Sequence, residues 1–440
     1  MIAIGQKIKE ARKEKKMTQE ELADSNISRS LISLIENDLS YPSMQTLEYL
    51  ATKLDKHISY FLVEDDSDSL NLIADLEYLL DTEEYIQIIQ KAESYIKYKV
   101  NNLESTKKQY LGALFCILGI AYYQTNNQLA YDYLTSSINY LKFEGSNKYI
   151  SKAYNYLALV MYRQKNYEHM ENYLRLADAC FNVITYENLN QKLNILYNLS
   201  LAYYYQHKYN LTTDILQEAL TYSKKHEIYY SFGEFNMLLA LSYKNIDRIE
   251  DAIECNSKAL KYYKLTENKL MEHRCYINMS ILFRVCGDQY NSLNYINDAI
   301  IYFQSIGDEV RLINARVEKV ICMYVFNNDN DAIVEAVDNI MGQPNCSDYS
   351  KGELFSILAS LKLKGKDYAG SLHLYKEAEK ILFDYNDTEM NTLIYRGLSK
   401  IYDYLNDSQN SSLYNAKLEK LLKDRPYYKK YLNDNTLFNI

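Results

Sequence analysis

The sequence predicts an all-α protein with a short N-terminal helical bundle and a long array of paired helices. Only 3 Pro and 12 Gly occur in 440 residues, so few residues interrupt helices. Small and aromatic residues recur about every 40 residues from about residue 69 onward, while closely spaced helix-start signals fill the first 62 residues. We therefore expect two domains, one over 1–64 and one over 65–440.

Charge is distributed unevenly along the chain. The net charge is -9, yet residues 1–62 hold nine Lys/Arg and nine Asp/Glu and are neutral. The first sixteen residues contain six Lys/Arg and only two Glu, which makes this the one concentrated basic segment. Polyanions are attracted by local positive patches, so any nucleic-acid contact is expected at the N-terminus and not along the acidic remainder.

The sequence offers no sign of secretion, membrane insertion or catalysis. The N-terminus lacks an apolar core segment, and no run of 18 apolar residues occurs. No metalloprotease, nucleotide-binding or nucleophile-elbow motif is found, and the six His are scattered. We predict a cytoplasmic protein without cofactor, metal or enzymatic activity. Its seven cysteines, which form no C-x-x-C pair, are expected to be reduced and buried: Cys116, Cys180, Cys255, Cys275, Cys286, Cys322 and Cys346.

Five short helices are predicted in the first 62 residues. Thr18 and Glu21 have the spacing of a capping box at the start of a second helix. Ser28 is placed to cap a third helix and Ser43 a fourth, and a fifth runs from about His57 to Leu62. Apolar residues at helical spacing form the expected core: Ile4, Ile8, Ala11, Leu31, Ile32, Ile35, Leu47, Leu50, Ala51 and Leu54.

A tight turn between the second and third of these helices is the helix-turn-helix plan. The sequence over about residues 4–62 resembles the Cro/C1-type (XRE) DNA-binding domain. The resemblance is carried by three segments in the order MTQEELA, SRSLISLIEN and YPSMQTLEYLATKL. The resemblance implies that the third helix enters the major groove with its N-terminal end toward the bases. The YPSM turn is expected to hold that helix against the fourth.

Six polar residues follow from this resemblance as candidates for DNA contact. Arg29 is the long donor on the outward face and has the geometry to meet guanine O6 and N7; a phosphate contact alone is the alternative. Gln19 is placed like a phosphate-gripping glutamine of the family. The predicted DNA-binding set is Gln19, Ser28, Arg29, Ser30, Ser33 and Asn37.

The remainder of the chain reads as helical hairpins. Aligned small residues lie 39 to 42 positions apart, with one degenerate unit centred on Val320, and a second set follows about nineteen residues later. Small residues allow two helices to approach closely, and a single pair cannot bury its apolar face, so the pairs stack. The pattern resembles the tetratricopeptide repeat (TPR) and implies a right-handed superhelix of about nine hairpins. The aligned residues are Gly119, Ala158, Ser200, Ala240, Ser280, Ala359 and Ser399, then Ala177, Ala219, Ala259, Ala299 and Ala378.

First helices of such repeats line a concave groove, and one Asn recurs in each of five of them. Carboxamides donate and accept, so a ladder of Asn can hold an extended peptide backbone. Asn236 departs most from the common register. The alternative is that Asn-rich composition places amides on solvated faces. Lys and Arg side chains close to these Asn residues are candidates for binding a carboxylate of the peptide. The predicted peptide-binding set is Lys152, Asn155, Asn194, Asn198, Lys244, Arg274, Asn278, Arg284 and Asn314.

An XRE domain followed by such repeats resembles the RRNPP group of peptide-pheromone-responsive transcriptional regulators, with its Rgg-, PlcR-, PrgX- and NprR-like members. The resemblance implies a cytoplasmic quorum-sensing homodimer, or a higher oligomer, on a palindromic double-stranded operator, controlled by a short signalling oligopeptide. Two alternatives stay open. One is a repeat protein that binds a response regulator or acts as an aspartyl-phosphate phosphatase in sporulation signalling, through a residue such as Gln87 or Gln90. The other is a phage or plasmid lysogeny regulator.

Overall fold

The computed structural model describes residues 4–37, 39–62, 67–99, 108–141, 147–180, 189–229, 231–326, 329–385 and 387–423. The five predicted N-terminal helices are present, with bounds within a few residues of those expected. They are α1 (Ile4–Glu14), α2 (Gln19–Leu22), α3 (Arg29–Glu36), α4 (Met44–Lys53) and α5 (Ile58–Leu62).

Side-chain caps fix where three of these helices begin. Thr18 and Glu21 form the predicted capping box, in which each side chain bonds the other residue's backbone. Ser28 accepts from the Leu31 amide at 3.2 Å, and Ser43 accepts from the Thr46 amide at 3.1 Å. These caps satisfy amides that have no partner within the helix, and they fix the turn between α2 and α3.

The core of the bundle is the predicted apolar face, with two partial exceptions. Ile8, Leu22, Ile32 and Leu50 are fully buried. Leu31 and Ile4 were expected inside but are half-buried, and they pack against the edge of the core. Because the four buried residues come from different helices, the core joins α1 to α4 around the turn that precedes α3.

Nine consecutive helix pairs follow along the described residues, as the repeat spacing predicts. The pairs are α6 (Ser67–Asp81) and α7 (Tyr85–Lys99), α8 (Lys108–Tyr123) and α9 (Asn127–Leu141), α10 (Asn147–Arg163) and α11 (Tyr167–Ala179), α12 (Leu189–Tyr205) and α13 (Tyr209–Lys225), α14 (Phe232–Asn245) and α15 (Ile249–Leu265), α16 (Lys269–Val285) and α17 (Gln289–Ser305), α18 (Glu309–Val325) and α19 (Asn330–Met341), α20 (Asp348–Lys364) and α21 (Tyr368–Leu382), and α22 (Thr388–Tyr404) and α23 (Ser408–Leu422). A short 3₁₀ turn, Phe383–Tyr385, follows α21.

The twelve aligned small residues are all buried. A Cβ built on Gly119 would lie 2.7 Å from Leu134 Cγ, so the backbone of α8 leaves no room for a side chain against α9. Several turns between paired helices contain a residue in the left-handed conformation, for example His207 (φ 60°) and Gly287 (φ 81°). Close packing at small residues therefore sets the repeat, as the spacing predicts.

The chain divides into two compact units at a place that the repeat pattern does not predict. One unit comprises 1–164 with 179–182, and the other 165–178 with 183–440. The expected domain boundary between residues 64 and 65 falls in 63–66, outside the described residues. The first of these is the N-terminal unit and the second is the C-terminal unit.

Three features of composition have structural counterparts. No disulfide joins the seven cysteines, all of which lie in the described ranges, and five are buried, but Cys180 is half-buried and Cys286 is exposed, so the expectation of burial is wrong for these two. Across the described ranges, no helix has the length and apolar character needed to cross a bilayer. In the same part of the chain, no three His, Cys, Asp or Glu side chains are grouped as metal ligands would be.

Candidate functional site

The third helix presents the polar face expected of a DNA-reading helix. Arg29 and Ser30 are exposed at its first turn, Ser33 is half-buried one turn later, and Ile32 and Ile35 are buried on the other side. Ser28, at the N-cap, holds the Leu31 amide with its hydroxyl. Asn37, at the C-terminal end, donates to the Ser33 carbonyl at 2.8 Å. The predicted DNA-binding residues of α3 therefore share one solvent-facing side, and two of them also cap the helix.

Arg29 has an acidic neighbour, Glu20, at the first turn of α2. Its Nη1 lies 2.9 Å from Glu20 Oε1, and the two side chains are 64% and 74% exposed. An ion pair this exposed contributes at most about 1 kcal/mol. The guanidinium is therefore readily released to a base or phosphate, while the Glu20 carboxylate would face the same DNA.

Gln19 belongs to a network that joins α1, α2 and α3. Its Nε2 donates to Glu36 Oε2 at 2.8 Å. Arg12 donates to both oxygens of the same carboxylate, at 2.6 and 2.9 Å. Burial by itself raises the pKa of Glu36, but the hydrogen bonds from Arg12 and Gln19 outweigh it and hold that pKa below the usual range.

This network changes two expectations for the bundle. Arg12 was counted in the N-terminal basic patch, but it is buried and its charge is neutralised within the bundle, so the patch loses one of its six bases. The YPSM turn was expected to lock α3 to α4. Tyr41 is 81% exposed and Met44 61% exposed, so within this turn it is Ser43, as the cap of α4, that fixes the start of the helix, with Leu47 buried one turn later.

In the N-terminal unit, two predicted peptide contacts lie on α10. Lys152 is half-buried and Asn155 is buried. Glu77 of α6 receives hydrogen bonds from Lys148 Nζ at 2.6 Å and from Tyr149 Oη at 2.9 Å. Burial raises the pKa of Glu77, while these bonds and the charges of Lys148 and Lys152 lower it below its usual range. Lys152 therefore lies near enough to an acidic side chain for its charge to act on it.

In the C-terminal unit, the amides of the predicted ladder do not share one environment. Asn194 and Asn198 of α12 are half-buried, and Asn314 of α18 is exposed. Asn278 lies on α16 with its Nδ2 3.4 Å from Asn256 Oδ1. Asn236 is buried and donates to the Phe232 carbonyl at 2.8 Å, so its amide serves its own helix. The ladder is thus mixed, and Asn236 does not belong to it.

The three predicted cations of the C-terminal unit differ in exposure and in bonding partners. Arg274 is exposed, and its nearest bond is to Met271 Sδ at 3.2 Å. Lys244 is half-buried on α14. Arg284 was expected to point its guanidinium into an open groove. Instead its side chain is only 2% exposed and lies between the carboxylates of Glu318 and Glu389.

Arg284 holds both carboxylates through paired bonds. Its Nε and Nη2 donate to Glu318 at 2.7 and 3.2 Å, and Nη2 also reaches Glu389 at 3.3 Å, with Nη1 on the other oxygen. Burial opposes the charge of Arg284, but the two carboxylates raise its pKa well above the usual value. Removing Arg284 would leave two carboxylates buried close together without a counterion, which is the costly way to break such a group.

Two more charged residues, Glu353 and Lys244, act on the carboxylates around Arg284. Glu353 of α20 is half-buried, and within the described residues it has no hydrogen-bond or ion-pair partner. Its pKa is raised well above the usual value by burial and by Asp387, Glu318 and Glu389. The positive charge of Lys244 also lowers the pKa values of Glu318 and Glu389.

First helices of five successive pairs, α14, α16, α18, α20 and α22, therefore contribute to one polar interior in the C-terminal unit. The acidic residues of this interior were not predicted from the sequence. Glu353 lies six residues before Ala359 on the first helix of its pair, and first helices of such repeats line the groove, so its position carried a signal. No sequence signal identified Glu318 or Glu389 as partners of Arg284.

The residues proposed for phosphatase chemistry lie elsewhere. Gln87 and Gln90 are both exposed on α7 of the N-terminal unit. Gln87 Nε2 donates to Glu84 Oε2 at 3.1 Å.

Comparison with known proteins defines the class of the N-terminal domain. Residues 8–61 match the family model described as helix-turn-helix. A competence pilus inhibition repressor of Acinetobacter baylyi is 33% identical over 108 residues, which are 24% of this chain and 98% of the repressor. The chain belongs to the helix-turn-helix family, and these residues form a DNA-binding domain.

The longer similarities extend into the repeats. The transcriptional activator NprA of Geobacillus stearothermophilus is 22% identical over 296 residues, which are 66% of this chain and 70% of the activator. The apo form of the quorum sensor NprR from B. thuringiensis is 15% identical, with a TM-score of 0.58, and the match covers 82% of this chain and 100% of NprR.

Two ligand-bound structures share the same fold. NprR in complex with its cognate peptide NprX is 13% identical, covers 72% of this chain and 96% of that one, and has a TM-score of 0.50. A Rap protein complexed with competence and sporulation factor is 16% identical, with a TM-score of 0.54, and the match covers 82% of this chain and 100% of the Rap protein. These similarities show that this chain shares the helical fold of NprR and of the Rap protein.

Proposed function

We propose that this protein is a cytoplasmic transcription regulator that binds operator DNA through α3 and is controlled by a short peptide bound to its repeats. The observation that carries the proposal is the joining of two features in one chain. One is a helix-turn-helix domain with an exposed polar α3. The other is a polar interior built by the first helices of five successive repeats.

DNA recognition is assigned to Arg29, Ser30 and Ser33, with Gln19 and Asn37 at the backbone. A single domain of this size buries little DNA surface, so two copies on adjacent half-sites are needed for tight binding. We therefore infer a homodimer on a palindromic operator. The activity needs no catalytic group, because each ligand acts only through its differential affinity for two states of the protein.

Peptide recognition is assigned to the first helices of the C-terminal unit. The amides of Asn194, Asn198 and Asn278 are suited to a peptide backbone. Arg284 is better assigned to the integrity of the interior than to a peptide carboxylate, because Glu318 and Glu389 already neutralise it. Lys244 and Arg274 remain the cations proposed for peptide contact, with Asn314 at the exposed edge. Lys152 and Asn155 have the same proposed role in the N-terminal unit.

The relatives support this proposal through their own ligands. NprR is a quorum sensor whose structure with a cognate peptide shares this fold, and NprA is a transcriptional activator. The direct experiment selects duplexes from a random DNA pool with the full chain, then adds a synthetic heptapeptide library to the selected complex. An inverted-repeat sequence and a peptide that changes its affinity are expected. Selection without any sequence enrichment would contradict the proposal.

A further inference from the structure

The degenerate repeat contains a second candidate site, separate from the interior described above. Its second helix, α19, has 12 residues, whereas the second helices α13, α15 and α17 each have 17. A cavity of about 560 Å³ lies between α18 and α19. Pockets of about 300–1,000 Å³ are of the size that holds small organic ligands. The shortened helix thus coincides with a ligand-sized space.

The walls of this cavity combine an apolar floor with positive charge. Val320 and Met323 of α18 and Ala336 and Ile340 of α19 form the apolar part. Arg316 and Lys319 stand at its edge, and in the described part of the chain neither forms an ion pair or a side-chain hydrogen bond. The amides of Asn339 and Gln343 complete the lining, which includes no carboxylate.

The cavity lies away from the polar interior. With 3.6 residues per turn, successive side chains are about 100° apart around a helix. Arg316, Lys319, Val320 and Met323 therefore share one side of α18, and Glu318 projects from nearly the opposite side. Since Glu318 holds Arg284 at 2.7 Å, the cavity cannot be part of the same site.

We propose that this cavity binds an amphipathic carboxylate, with its charge at Arg316 and Lys319 and its apolar chain against Val320, Met323, Ala336 and Ile340. Two cations without an internal counterion favour a negatively charged group, and partial burial strengthens that attraction. The apolar floor favours hydrocarbon because removing it from water is favourable in proportion to its area. A medium-chain fatty acid and the carboxyl end of a short apolar peptide share this chemistry. The proposal does not rest on the proposed peptide-controlled function.

The test is isothermal titration calorimetry of the full chain with octanoate and with its uncharged analogue octanamide. Octanoate is expected to bind at one site and octanamide at least tenfold more weakly. Lys319→Glu and Arg316→Glu are each expected to weaken octanoate at least tenfold, and Ala336→Phe to abolish binding by filling the space. Lys261→Glu, an exposed cation on α15, is the charge-matched control and should leave binding unchanged. Circular dichroism melting of each variant separates loss of the site from loss of the fold.

A second titration, with N-acetyl-Leu-Leu as the free acid and as the amide, distinguishes the two sources of the carboxylate. Tighter binding of the dipeptide acid than of octanoate assigns the site to a peptide terminus, and the reverse order assigns it to a fatty acid. The proposal is overturned if neither acid binds, if octanamide binds as well as octanoate, or if folded Lys319→Glu protein keeps wild-type affinity.

Discussion

Arg284, near the C-terminal end of α16, and Glu389, in the first turn of α22, form a buried ion pair across 105 residues of sequence. Glu318 of α18 shares the same guanidinium at 2.7 Å. One side chain therefore joins the first helices of three different repeats. Neighbouring repeats pack through their apolar faces, whereas the bond from Arg284 to Glu389 connects repeats that are distant in sequence.

Loss of the guanidinium should destabilise the C-terminal unit. Arg284→Met keeps much of the side-chain volume but leaves two carboxylates buried without a partner. Its cost is expected to be roughly 3–5 kcal/mol. Hydrogen exchange of amides in α16, α18 and α22 of the full chain measures this loss of stability in each helix. Arg274→Met, on an exposed position of the same helix, is the control and should change exchange little. Equal effects of the two substitutions would show that the triad does not hold these helices.

Glu353 should make the stability of the same unit depend on pH. Its pKa is raised in the folded protein by burial and by neighbouring carboxylates, so the folded state keeps a proton that the unfolded state has lost. Its contribution is therefore fully present below the unfolded pKa, near 4.5, and falls as pH rises through the folded pKa. Glu353→Gln is expected to remove this decline and to stabilise the unit at neutral pH. Hydrogen exchange of α20 amides against pH would test this, and an unchanged pH profile would refute it.

Arg29 should carry sequence information at the operator. If its guanidinium reads a guanine, Arg29→Ala costs about 1–3 kcal/mol on the selected operator and much less on random DNA. Fluorescence anisotropy at fixed salt gives both affinities. An equal loss on the two DNAs would reduce Arg29 to a phosphate contact, which is the alternative left open by the sequence.

Glu20 should oppose DNA binding. Its exposed carboxylate, 2.9 Å from Arg29, would lie near the phosphates, so Glu20→Gln is expected to tighten binding by a fewfold at low salt, with a smaller gain as salt is added. Glu48→Gln, an exposed glutamate on α4, changes the net charge equally and serves as the control. A gain of the same size in both variants would indicate a general charge effect.

The sequence predicts the fold better than the sites for a physical reason. Small residues such as Gly119 recur at a fixed spacing because two backbones must approach there, and caps such as Ser28 act within one turn of chain. Both signals are local or periodic. The partners of Arg284 are neither: its position in the repeat predicts that it faces the interior, but only folding brings Glu318 and Glu389 against it. Likewise Arg12 looks like part of a basic patch until α3 places Glu36 beside it.

The most direct test of the account measures operator affinity of the full chain with and without a peptide selected from the heptapeptide library. Wild-type protein and Asn198→Ala and Asn278→Ala variants are compared, with Asn210→Ala, on an exposed position of α13, as the control. The account predicts that the peptide shifts operator affinity in wild type and control. It predicts that both groove variants weaken peptide binding and leave operator affinity without peptide unchanged. Wild-type peptide affinity in both variants, or a peptide that binds without any change in operator affinity, would contradict it.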